Sequence, residues 1–140
     1  MESYGWSIWL VILPTHKVAN LIRRNNPESH TPHVTLQTNL PSLADAQIEL
    51  SKYRFWTDII TIKGKTKILP NHYDTDPLHS WGFDVDLREM RTGHKPHLTI
   101  AYSKEKFKEC PDVRENHIFR GRLRIADTRS ENPWEWSIVT

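Results

Sequence analysis

The chain has a single cysteine, Cys110, in 140 residues. It has no internal disulfide to form, and nothing in it calls for an oxidising compartment. Long apolar runs are absent too. The longest, "IWLVIL" at 8–13, is far short of the roughly 20 residues that cross a bilayer, and it lacks the basic flank and small-residue cleavage site of a secretory leader. It reads as a strand. Charge of one sign is equally scarce: 19 Lys and Arg against 17 Asp and Glu leave +2, with no long basic block to follow a nucleic-acid backbone over many phosphates. A small anionic ligand is expected rather than long duplex nucleic acid. No linker or low-complexity segment divides the sequence. The expectations are one domain over 1–140, a cytoplasmic location with the nucleus as alternative, no membrane partner, and a monomer.

What the chain does have is bulky core material and histidine. Six Trp, four Tyr and four Phe accompany 37% hydrophobic and 26% charged residues, ordinary proportions for a globule. The run "YGWSIWLVILP" suggests a buried strand ended by Pro14. "THKVANLIRRN" follows with Val18, Leu21 and Ile22 on one helical face and Thr15 as N-cap. "HVTLQTNL" alternates like a strand. "SLADAQIELSKYRFW" then spaces Leu43, Ala46, Ile48 and Leu50 for a helix capped by Ser42. "TDIITIKGKTKIL", "HSWGFDVDL", "HLTIAYS", "IFRGRLRIAD" and "WEWSIVT" read as strands, with a short charged helix near "KEKFKE". Two early helices and about seven strands predict an α+β domain built on antiparallel sheet.

Eight histidines stand out because His both gives and takes a proton near neutral pH. Two of them sit in a repeated pattern, "PHVTL" at 32–36 and "PHLTI" at 96–100, with the histidines 97 − 33 = 64 residues apart. One His-x-Thr is weak: 8 His and 12 Thr give about 0.7 occurrences by chance. Requiring Pro before and an apolar residue after both His and Thr, twice, lowers that expectation to well under roughly 1 in 1,000. The repetition suggests a duplication about a pseudo-twofold axis.

The spacing carries chemistry. On a strand His33 and Thr35 share one face, as do His97 and Thr99, while Val34, Leu36, Leu98 and Ile100 share the other. Two such strands facing across a cleft would surround a tetrahedral anion with two imidazoles and two hydroxyls. In-line attack at phosphorus needs one proton removed and another delivered. Two imidazoles of ordinary pKa, about 6.5, do both without a metal. A rival reading takes His30, His33, His94 and His97, two His-x-Pro-His pairs, as zinc ligands. Against it, residues three apart on an extended segment face opposite ways, and no cysteine or carboxylate accompanies them. Arg120, Arg122 and Arg124 alternate on one face, as do Lys63, Lys65 and Lys67. They read as solvated sheet faces, with a nucleotide-steering patch as the alternative. In "HYDTDPLHSWGF", His72, Tyr73, His79 and Trp81 each read singly as core or surface residues, with bordering a cleft as the alternative.

On these residues the chain resembles the two-histidine phosphoesterase superfamily, whose signature is two His-x-Ser/Thr motifs on strands of a bilobal, pseudo-twofold α+β fold. The likeness is strongest to the small eukaryotic cyclic phosphodiesterases of plants and yeast. It rests on "WSIWLVILP", "PHVTLQTNL", "KPHLTIAYS" and the closing "FRGRLRIADTRSENPWEWSIVT". The resemblance implies antiparallel sheets flanked by helices about a central cleft. His33 and His97 would be the acid–base pair, and Thr35 and Thr99 would hold phosphate oxygens. Trp9 and Tyr102 would be substrate-binding aromatics, a role suited to a base or ribose. It implies no cofactor and no metal, with a small nucleotide or short oligonucleotide as substrate. The activity it suggests is hydrolysis of a 2′,3′-cyclic phosphate or an ADP-ribose cyclic phosphate to a phosphomonoester. The alternatives are cleavage of 2′-5′ oligoadenylate or of cyclic di- or trinucleotide messengers, a non-catalytic nucleotide- or RNA-end-binding module, and a zinc-binding structural protein. The chain has "IAYS" where bacterial RNA-processing members carry an Arg after the second motif, and it lacks the cysteines of some plant members.

Overall fold

The structure is a computed structural model that describes residues 4–13, 17–25, 31–53, 57–69, 79–87, 96–103, 118–130 and 135–139. Its elements are β1 (Trp6–Ile12), α1 (Lys17–Asn25), β2 (His33–Leu40), α2 (Leu43–Ser51), β3 (Thr57–Leu69), β4 (His79–Leu87), β5 (His97–Ser103), β6 (Ile118–Asp127) and β7 (Ser137–Ile138). The chain is α+β, with two helices and one antiparallel sheet among the described residues. Thr15, Cys110, His72, Tyr73 and the charged segment near "KEKFKE" lie outside the described residues. No helix among the described residues is long and apolar enough to cross a membrane.

The strands follow the order β1-β2-β5-β4-β3-β6-β7, and β6 also pairs with β1. Because β6 pairs with β3 along Thr57–Thr61 and with β1 along Trp6–Ile12, the first six strands close into a ring. Within it β2 and β5 are neighbours that meet through one Cα pair, Val34 with Leu98. One face of the strands carries the core. Ile8, Leu10 and Ile12 of β1, Val34 and Leu36 of β2, Phe83 and Val85 of β4, and Leu98 and Ile100 of β5 form one buried cluster with Ile60 and Leu123. Gly121 belongs to this face. A Cβ there would lie 2.5 Å from Leu10 Cγ and 3.0 Å from Ile60 Cδ1, so β6 can pass between those side chains only as glycine.

Both helices follow from sequence pattern and caps. In α1, Val18, Ala19 and Ile22 are buried against the cluster while Lys17, Asn20, Arg23 and Arg24 are exposed. Arg23 and Arg24 in the last turn complement the negative end of the helix dipole. In α2, Ser42 Oγ accepts from Asp45 N at 3.1 Å and donates to Asp45 Oδ2 at 2.7 Å, closing the orphan first turn. The phase of α2 differs from the expectation in one respect. Ile48 is 57% exposed, and Ala46 is the buried residue. Gln37 fastens α2 to β2: its Oε1 accepts from Tyr53 Oη (2.9 Å) and its Nε2 donates to Glu49 Oε2 (3.2 Å).

Candidate active site

The two motifs enter the sheet the same way. Ile12 N donates to Pro32 O at 3.0 Å, and Val85 N donates to Pro96 O at 3.3 Å. A proline at the start of each strand therefore loses nothing by lacking an N–H while its carbonyl accepts the opening bond of the ladder. The sequence expectation placed the motif strands across a cleft; they are instead immediate neighbours. The antiparallel pair Val34–Leu98, counted one residue either way, sets His33 opposite Thr99 and Thr35 opposite His97, all four on one face. His33 and His97 are then diagonal neighbours, about 7–8 Å apart at the backbone. That gap suits one tetrahedral group between two imidazoles, with a threonine beside each.

The residue after each threonine is bulged. Ile8 pairs with Gln37 but Trp9 with Thr35, leaving Leu36 extra; Trp81 pairs with Ala101 but Gly82 with Thr99, leaving Ile100 extra. Leu36 and Ile100 are both fully buried. A bulge shifts the alternation of side chains by one. Tyr102 would face away from Thr99 on an ideal strand. After the bulge at Ile100 it returns to the Thr99 side, and its ring meets Trp136 edge-on at 6.4 Å.

His33 is 5% exposed and lies flat on the indole of Trp9, with centroids 3.5 Å apart and planes 9° apart. Its Nδ1 is 2.7 Å from Thr31 O. A carbonyl can only accept, so Nδ1 carries the hydrogen and the neutral ring presents Nε2 as its basic nitrogen. Trp9 is thus both core and site: it is 1% exposed, yet it stacks on the histidine. Its Nε1 is buried with no hydrogen-bond partner among the described residues. His97 is half-buried and stands opposite Asp84, also half-buried. Since Val85 and Pro96 form the adjacent hydrogen-bonded pair, Asp84 and His97 occupy a non-hydrogen-bonded pair, where side chains approach closest. Thr99 is buried and Thr35 half-buried.

Sequence reasoning missed Trp136. Its ring lies 6.2 Å from Trp9, 6.3 Å from His33 and 5.6 Å from Tyr4, and its Nε1 donates to Ser130 O at 2.8 Å. It immediately precedes β7, four places along the sheet from β5, a span of roughly 19 Å on a flat sheet. Only a sheet that curls towards this face brings Trp136 against Tyr102 and His33 together, so the histidine face is the inner one. A buried hydroxyl chain secures the same region: Ser7 Oγ meets Thr128 Oγ1 at 2.6 Å and Thr38 Oγ1 at 3.0 Å, and Thr128 Oγ1 donates to Gly5 O at 2.7 Å. Beyond it, Arg129 pairs with Asp127 at 2.8 Å and holds that carboxyl below the usual range, chiefly by hydrogen bonding.

Two rows cross the inner face. One runs Arg122, Val11, His33, Thr99, Gly82, and the other runs Arg124, Trp9, Thr35, His97, Asp84. On β3 the backbone register continues them to Lys67 and Lys63 respectively. Taken from opposite ends, both rows read cation, flanking residue, His, Thr, flanking residue, cation. Arg120 and Arg122 are exposed and Arg124 is half-buried, and Arg122 and Arg124 fall in the same rows as the two motifs. His30 and His94, the other halves of the two His-x-Pro-His pairs, lie outside the described residues. No family model, curated protein or solved structure matches the chain at a significant level.

Proposed function

We propose that the chain is a two-histidine phosphodiesterase that hydrolyses a nucleoside-type cyclic phosphate to a phosphomonoester without a metal. The observation that carries this reading is the Val34–Leu98 pairing, which sets the histidines and threonines of both motifs side by side in register on one face of adjacent strands. His33 Nε2 takes a proton from water as its oxygen attacks phosphorus. His97 gives a proton to the departing ribose oxygen as the P–O bond on the far side breaks. Asp84 beside His97 supplies a negative neighbour for the imidazolium, and Trp9 and Thr31 orient His33. Thr35 and Thr99 hold the non-bridging oxygens, where charge develops. Tyr102 and Trp136 offer an aromatic wall to a base or ribose. In this reading the strand order is a pseudo-twofold duplication, with β2, β1 and β6 matched by β5, β4 and β3.

The test is turnover of a panel of 2′,3′-cyclic mononucleotides, 2′-5′ oligoadenylate and cyclic dinucleotides in excess EDTA. His33→Ala and His97→Ala should each lower kcat by about 10²–10⁴-fold, and the wild-type kcat should be bell-shaped in pH. Turnover that needs added metal, or that persists in either variant, would sink the mechanism. Tight nucleotide binding with no turnover would instead identify a binding module.

A further inference from the structure

Arg122 and Arg124 are unclaimed by the chemistry above. Arg124 of β6 pairs with Trp9 of β1, and Arg122 with Val11, so both stand two strands from the first motif on the face that carries His33 and Thr35. Two strand spacings, roughly 10 Å, separate β6 from β2, and an arginine side chain covers much of that distance on a face that curls inward. Arg122 is exposed and Arg124 half-buried. Among the described residues, the one hydrogen bond of either guanidinium runs from Arg124 Nη1 to Leu123 O, at 2.8 Å. Neither has a carboxylate partner among the described residues, whereas Arg129, further along the same chain segment, is neutralised by Asp127. Two guanidinium groups on one concave face, without a carboxylate partner among the described residues, make a field that concentrates anions, and the planar fork of each suits phosphate oxygens.

We propose that Arg122 and Arg124 form a second phosphate subsite, so that the substrate is a nucleotide carrying at least one phosphate besides the one held between His33 and His97. This rests on the phosphodiesterase reading for the position of the first phosphate and deepens it. A mononucleoside cyclic phosphate leaves the arginines idle, while a short oligonucleotide, linear or cyclic, engages them. Lys63 and Lys67 on β3 stand at the opposite ends of the same two rows in the backbone register.

The experiment is calorimetric titration in EDTA with two nucleotides that differ by one phosphate and that the reaction does not consume, adenosine 2′-monophosphate and adenosine 2′,5′-bisphosphate. Wild-type protein should bind the bisphosphate at least about tenfold more tightly. In Arg122→Gln/Arg124→Gln the ratio of the two affinities should collapse towards one. In Arg23→Gln/Arg24→Gln, which removes the same charge from the exposed last turn of α1, the ratio should persist. Thermal melts establish that each variant is folded. A wild-type ratio near one, a ratio that survives the β6 substitutions, an equal collapse in the α1 control, or no binding of either nucleotide would each overturn the subsite. The outcomes stay separable from those for catalysis. An arginine-dependent ratio in a protein without turnover keeps the subsite and removes the phosphodiesterase, and histidine-dependent turnover without that ratio does the reverse.

Discussion

The two His-x-Thr strands share a backbone and differ in everything around it. In each, a proline carbonyl accepts the first ladder bond, His and Thr face inward, and a buried aliphatic bulges directly after the threonine. Around that frame the first strand is sealed: His33 is 5% exposed and stacked on Trp9. The second is more open, with His97 half-buried opposite Asp84, and with Gly82 opposite Thr99 where the first half has Trp9 opposite Thr35. Equal frames with unequal flanks give two imidazoles in different surroundings. One is held by an aromatic surface and a carbonyl, the other stands beside a carboxylate.

The largest test of that contrast removes the seal. Trp9→Ala deletes a 1%-exposed indole and should cost about 3–5 kcal/mol of stability, read by urea denaturation. A cost below about 1 kcal/mol would mean that the first histidine is not held by packing. Next, Tyr102→Ala removes an aromatic that only the second bulge turns inward, and should weaken nucleotide binding by about 1–3 kcal/mol. Calorimetry checks this, and an unchanged affinity would place Tyr102 outside the site despite its contact with Trp136. The smallest effect sharpens the assignment of roles. If Asp84 supports a protonated His97, Asp84→Asn should move the alkaline limb of the kcat profile to lower pH and leave the acidic limb in place. Movement of the acidic limb alone would exchange the roles of the two histidines.

Much of the frame was legible in the sequence because alternation and punctuation are local signals. The strands beginning at His33 and His97 start where proline ends the preceding segment, and the Ser42 cap and the β3, β4 and β6 spans follow from the same cues. The bulges were not legible. Leu36 and Ile100 are aliphatics in apolar runs, and only pairing with Ile8–Trp9 and Trp81–Gly82 makes them extra residues. That is why Tyr102 read as facing the wrong way. Trp136 was hidden for a different reason, since its neighbours come from β1, β2 and β5 through the curl of the sheet. Ile48 is exposed because, five residues after Leu43, it stands about 140° round the helix from the face that Leu43, Ala46 and Leu50 share.

The junction of β2 and β5 also has a mechanical side. Elsewhere in the ring long ladders such as β1 with β6 fix strand spacing, but the two histidine strands meet through the single pair Val34–Leu98. Both of those side chains are fully buried. The two histidine strands are therefore joined where two buried aliphatic side chains pack on the face opposite the histidines, so a change of bulk at Val34 or Leu98 would be felt at the histidines without touching them.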